Sequence, residues 1–243
     1  MKQKFFGLAA CLLVMSLFFF GCGNGASSDD DTSGTPTDLG GVISQPPSSA
    51  SGAPGGVWVD AQGRLRIQAT LYDPDGSVVN GGEIKAEVWL GQGQFHELGT
   101  ATISSEGVFD LTVSTPQDSH MSPLNAEMAD DNGVPWPGLT VTNGNTLITS
   151  IDFFYYKDDE RGMIYLSPLS LDEDVVYVYL YSKGSTSVRG STTDEGYIIS
   201  MDVRLNAGWN SLWGTESDTE QTSVSAQPPA TARWIMRSFG SGD

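Results

Sequence analysis

Val175-Val176-Tyr177-Val178-Tyr179-Leu180-Tyr181 is the stretch that decides the fold. Every residue in it is β-branched, aromatic or aliphatic, the composition that suits a pleated, packed surface. Successive side chains of a strand point to opposite faces. Val175, Tyr177, Tyr179 and Tyr181 therefore share one face, and Val176, Val178 and Leu180 share the other. A strand apolar on both faces sits in the middle of a sheet and is covered on both sides.

Moving outward, residues 197–205 form the next strand, followed by the turn Asn206-Ala207-Gly208 and then Trp209-Asn210. Glycine permits the positive φ such a turn needs. Trp209 is then expected to swing back over the core, with the Asn210 side chain capping the turn. Arg233-Trp234-Ile235-Met236 reads as a last short strand. On the other side, residues 147–156 are strongly β-prone, and Lys157 to Gly162 forms a charged hairpin tip.

The first half repeats the pattern more weakly. Leu65, Ile67, Ala69 and Leu71 alternate with polar neighbours, as in a half-buried strand. Asp73-Pro74-Asp75-Gly76 supplies turn chemistry. Ile84, Ala86, Val88 and Leu90 line one face of a second strand, and Gly91-Gln92-Gly93 turns the chain into residues 94–103. Phe109, Leu111 and Val113 mark a further strand.

This rhythm predicts an all-β fold, an antiparallel β-sandwich of the immunoglobulin-like or transthyretin-like kind with about eight to ten strands. The body spans residues 57–243. It is one sandwich or two halves, 57–115 and 145–237, joined by an irregular loop of about thirty residues. A loop that long has a job or marks a boundary. Within it Trp136 stands between Pro135 and Pro137, so it cannot sit in a central strand. It either lids the edge of the core or presents an aromatic surface to a ligand.

The N-terminus is of a different kind. Lys2 and Lys4 precede an apolar run from Phe5 to Phe20, and Gly21-Cys22 follows. A charged start, a short apolar stretch and a small residue at its end are the layout of a secretory signal over residues 1–21. The run is shorter than the roughly 20 residues that a membrane-spanning helix needs. Cys11 departs with the signal, so Cys22 is the one cysteine left and no internal disulfide can form. Residues 22–56 are rich in Gly, Ser, Asp, Thr and Pro and nearly free of large apolar side chains. They are expected to form a disordered linker.

Gly21-Cys22 makes the leader resemble a bacterial lipoprotein signal, with Phe19 where the usual lipobox carries Leu. The resemblance implies cleavage before Cys22, lipidation of its thiol, and a membrane partner held through that anchor. It places the protein in the bacterial cell envelope, periplasmic or surface-facing. Gly23 is not the aspartate that retains some lipoproteins in the inner membrane, which favours the outer membrane. Further on, Leu205-Asn206-Ala207-Gly208-Trp209-Asn210, together with residues 178–181 and 197–203, is similar to the L-x-x-G-W-N region of β-sandwich lipoproteins of spirochaetes and Bacteroidetes. The strand rhythm around residues 99–113 is similar to transthyretin-like and carboxypeptidase-regulatory sandwich units.

Charge and composition narrow the function. The chain carries 12 basic and 30 acidic residues, a formal charge of −18. Lys2 and Lys4 leave with the signal, which holds no acid, so the mature chain is more acidic still. Such a surface repels nucleic acid, and no nucleic-acid partner is expected.

Only two histidines occur, His96 and His120, and Asp118-Ser119-His120 lies in the long loop without a nucleophile-elbow motif. His96, beside Glu97 on a strand, reads as a solvated residue. Zinc would need three or four ligands. Asp73-Pro74-Asp75-Gly76, Asp130-Asp131-Asn132-Gly133 and Asp172-Glu173-Asp174 offer oxygen ligands for calcium but lack the spacing of a calcium loop. No catalytic, cofactor or metal residue is assigned. The expected role is a non-catalytic envelope interaction or structural module. The alternative is a carbohydrate-binding module with Trp136 and the strand tyrosines as its stacking platform, and a hydrolase built on the long loop ranks third.

Overall fold

A computed structural model describes residues 54–130, 133–158, 160–167, 175–194, 196–217, 219–229 and 231–238. The signal, Cys22 and all but the last three residues of the 22–56 linker lie outside the described residues.

The fold is all-β, as the alternation predicted. The first half contains β1 (Val57–Val59), β2 (Leu65–Tyr72), β3 (Glu83–Gly91), β4 (Gln94–Thr102) and β5 (Val108–Val113). The connecting segment carries β6 (Ser122–Pro123), the single helical turn α1 (Leu124–Glu127) and β7 (Leu139–Thr142). There follow β8 (Leu147–Lys157), β9 (Glu160–Ser167), β10 (Val175–Ser182), β11 (Thr186–Asp194), β12 (Tyr197–Leu205), β13 (Gly208–Glu216), β14 (Glu220–Ser225) and β15 (Arg233–Ser238).

These strands form one 15-stranded hydrogen-bonded network, more than the sequence rhythm counted. The surplus is short: β1, β6 and β7 have two to four residues each, too few to show a period. Nor is the sheet wholly antiparallel. β14 runs parallel to β12 while pairing antiparallel with β13, and β15 runs parallel to β2 while pairing antiparallel with β9. Alternation fixes which face a side chain occupies, not which strand lies alongside.

Strands β5, β2, β15, β9, β8, β3 and β4 follow one another by backbone pairing, and the two ends of that series meet. There the Ser114 N–H donates to the Leu98 carbonyl at 2.9 Å. Gly99 makes the approach possible, since a Cβ at this position would lie 2.1 Å from the Thr112 carbonyl oxygen. Inside this ring is the larger core. It joins Ile67, Ile84, Phe109 and Leu111 from the first half to Phe153, Leu166, Tyr179, Trp209 and Trp234 from the second. The second core holds Leu124, Met128, Ile148, Leu180, Val188, Ile199, Val203 and Leu212.

β10 lies between the two cores, flanked by β8 and β13. Tyr177 and Tyr179 enter the larger core and Leu180 enters the smaller, so the two-faced apolar pattern has a direct physical cause. The β12–β13 turn also follows its local chemistry. Gly208 has φ 102°, which only glycine adopts freely. The Asn210 side chain is fully buried, accepts from the Asn206 N–H at 3.0 Å, and donates to the Asn206 and Gly208 carbonyls at 2.9 Å. Trp209 packs into the larger core, and its indole N–H donates to the Gly63 carbonyl at 3.0 Å.

Candidate functional site

The long connecting segment is anchored rather than loose. Leu124 is fully buried and Met128 nearly so, both in the smaller core. The Leu124 N–H donates to the Thr146 carbonyl, and Ser122 pairs with Ile148 on β8. These contacts hold the short 3-10 turn Asp118–His120 against the tip of the β3–β4 hairpin. Between them lies a recess of about 220 Å³. One wall is Trp89, Leu90 and Gly91 of the hairpin tip, and a second is Ser119, His120, Met121 and Ser122. Glu127 of α1 and Ile148, Thr149 and Ser150 of β8 complete it.

The two histidines, 24 positions apart in the chain, meet beside this recess. Their ring centroids are 4.0 Å apart with the planes tilted by 40°. His96 is exposed, as its strand position suggested, but it is not isolated. Burial, reinforced by the neighbouring His96, pushes the His120 pKa below its ordinary value. A serine triad would need an acid hydrogen-bonded to the imidazole Nδ1. His120 Nδ1 is buried without a hydrogen-bond partner, and the Asp118 carboxylate is engaged with Lys183 at 2.5 Å. Asp118, Ser119 and His120 are thus neighbours in sequence but not a triad in space.

A second polar cluster lies on the outer face of the ring. Glu87 on β3 and Asp152 on β8 are directly paired positions. Glu87 is only 8% exposed. It accepts a 3.4 Å hydrogen bond from the Tyr156 hydroxyl and stands 3.7 Å from the Arg161 guanidinium. Arg161 itself lies 4.1 Å over the Phe154 ring. Burial, with the Glu87 charge adding to it and Arg161 opposing, pushes the Asp152 pKa up to about 6. Asp152 also borders a space of about 20 Å³, room for roughly one water. Chain position alone did not reveal this pair, because it exists only through the β3–β8 register.

The remaining candidates resolve individually. Trp136 packs against the smaller core, and its backbone N–H donates to the Met128 carbonyl. Tyr177 and Tyr179 are buried in the other core, so they do not join Trp136 in one stacking platform. Asp73 accepts from the Ser77 N–H and Asp130 from the Val134 N–H, each at 2.8 Å, so both carboxylates serve their own turns. Asp131, Asn132 and Asp172-Glu173-Asp174 fall outside the described residues. Among the described residues, no group of three or more His, Cys, Asp or Glu could hold a metal ion.

Comparison with protein-family models, with curated proteins and with solved structures finds no match for this chain.

Proposed function

We propose that this chain is an exported, lipid-anchored envelope protein whose β-rich body serves as a non-catalytic interaction module. The Gly21-Cys22 leader supports the address, with Cys22 as the lipidated residue and residues 23–56 as a polar spacer. Two acyl chains or more hold a protein stably on a bilayer, where one binds only marginally at about 10⁴ M⁻¹. The body is best described as a β-sandwich in the broad sense, with β10 and β13 as a layer shared between two cores.

The interaction reading is carried by one observation. The recess at the β3–β4 tip is walled on several sides and open at its rim, where Leu90 is 43% exposed. Its histidine meanwhile lacks the acid partner that nucleophilic catalysis uses. The recess lining, which brings Trp89 together with serine and threonine residues, favours the carbohydrate-binding form of this reading over a purely structural role.

The anchor is tested by fractionating cells that express the wild type or Cys22→Ala. Wild type is expected in the membrane pellet, released by detergent but not by high salt. Cys22→Ala should lose at least tenfold of that membrane-bound fraction. Equal membrane association of the two proteins would reject the lipid tether.

A further inference from the structure

We propose that the recess between the β3–β4 hairpin tip and the 119–122 segment binds a single neutral pyranose ring, the terminal sugar of an envelope glycan. The proposal rests on reading the protein as a binding module and adds the ligand class and its position.

Size sets the first limit. About 220 Å³ is the share of roughly seven water molecules. That is below the range of about 300–1,000 Å³ typical of drug-sized ligands. One six-membered ring fits, and an oligosaccharide would have to continue outside.

Charge sets the second. Among the described residues no Lys or Arg lines the recess, so none of them would neutralise a phosphate, sulfate or carboxylate. The one carboxylate among the described lining residues, Glu127, already has a partner within the protein. Burial, with His96 beside it, lowers the His120 pKa and so disfavours a positive charge on its ring. The ligand is therefore uncharged.

Polarity sets the third. Ser119 and Ser122 line the recess beside Thr149 and Ser150, which are engaged within the protein, and an apolar ligand would strip water from the first two serines without replacing it. Trp89 and Leu90 add apolar surface from the hairpin tip, and Trp89 is only part-buried. A pyranose matches both surfaces, because its ring C–H groups present an apolar face and its hydroxyls project around the rim. Its hydroxyls also serve as both donors and acceptors, as serine and threonine require. Trp136 plays no part, being packed against the smaller core.

The test uses the detergent-solubilised mature protein and saturation-transfer NMR. Its probes are the methyl glycosides of glucose, galactose, mannose and N-acetylglucosamine. Sodium glucuronate, inorganic phosphate and tetramethylammonium are run alongside. At least one neutral glycoside should bind with roughly millimolar affinity. Trp89→Ala should weaken it tenfold or more, and Ser119→Trp, which fills the recess from its 119–122 wall, should abolish it. Trp136→Ala should leave it unchanged.

The proposal is overturned if no neutral glycoside binds at up to about 50 mM, where millimolar affinity would saturate. It is equally overturned if binding survives Ser119→Trp, or if only the charged probes bind. A failure of the anchor would appear in the fractionation of Cys22→Ala and leave these titrations unaffected, so the two ideas fail separately.

Discussion

Trp234→Ala should destabilise the protein by about 3–5 kcal/mol, enough to unfold a domain of ordinary stability near physiological temperature. Trp234 is 2% exposed and sits where both halves of the chain meet. Its ring stacks on Tyr179 at 5.9 Å and meets Phe153 and Phe109 edge-on at 5.2 and 6.1 Å. Its indole N–H donates to the Gly55 carbonyl at 2.8 Å, which ties the start of the body to its last strand. Removing the ring leaves a cavity that neighbours on three strands cannot collapse to fill, and it orphans that carbonyl. Trp234→Phe keeps most of the packing and should cost less. Chemical denaturation followed by circular dichroism reads both. Because Phe109 and Phe153 belong to different halves, the loss should appear as one cooperative transition shifted as a whole. A loss below about 1 kcal/mol, or a second transition left unmoved, would contradict a shared core.

Asp152→Asn should act in the opposite direction and stabilise the protein at pH 7.5 by about 2–3 kcal/mol. The folded state holds the Asp152 proton to about pH 6, against 3.8 for the unfolded chain. Burial is the main cause and the facing Glu87 charge the second. The folded form therefore binds this proton more tightly than the unfolded form. Below about pH 3 the carboxyl is mostly neutral in both states and costs almost nothing. As pH rises from about 4 through 6, the unfolded state ionises first and the folded state loses stability; above that window the penalty is complete. Asparagine keeps the shape and removes the charge, so the two proteins should match near pH 3 and diverge at pH 7.5. If the Asp152 anion were instead well paired with Arg161, the substitution would destabilise at neutral pH. That outcome, or a pH profile identical to wild type, would reject the assignment.

How much of this was legible in the residues differs from element to element. β10 was readable because both its faces are apolar, and the structure places it between two cores. The Asn206–Asn210 turn was readable because glycine at 208 and an amide at 210 have local roles that need no distant partner. What depends on distant partners was not readable. The parallel pairings of β12 with β14 and of β2 with β15 leave no periodic trace, since a strand alternates identically beside either neighbour. His96 read as a lone solvated residue because nothing near it in sequence announces His120. Glu87 and Asp152 likewise become a pair only once β3 lies against β8. Trp136 was open between two roles, and the flanking prolines that kept it out of a central strand also leave it free to cap the smaller core. In the recess, Trp89 falls on the strand face of Lys85 and Glu87, away from Ile84, Ala86 and Val88, but nothing near it in sequence shows that it meets the 119–122 segment.

The proposed tether gives all of this its setting, since a module on a membrane leash meets ligands at the cell envelope. Intact-mass and N-terminal peptide mass spectrometry of the protein purified from the membrane fraction tests it most directly. The expected species begins at Cys22 and carries fatty acyl mass on that residue. A chain that retains residues 1–21, or one with an unmodified Cys22 thiol, would contradict it.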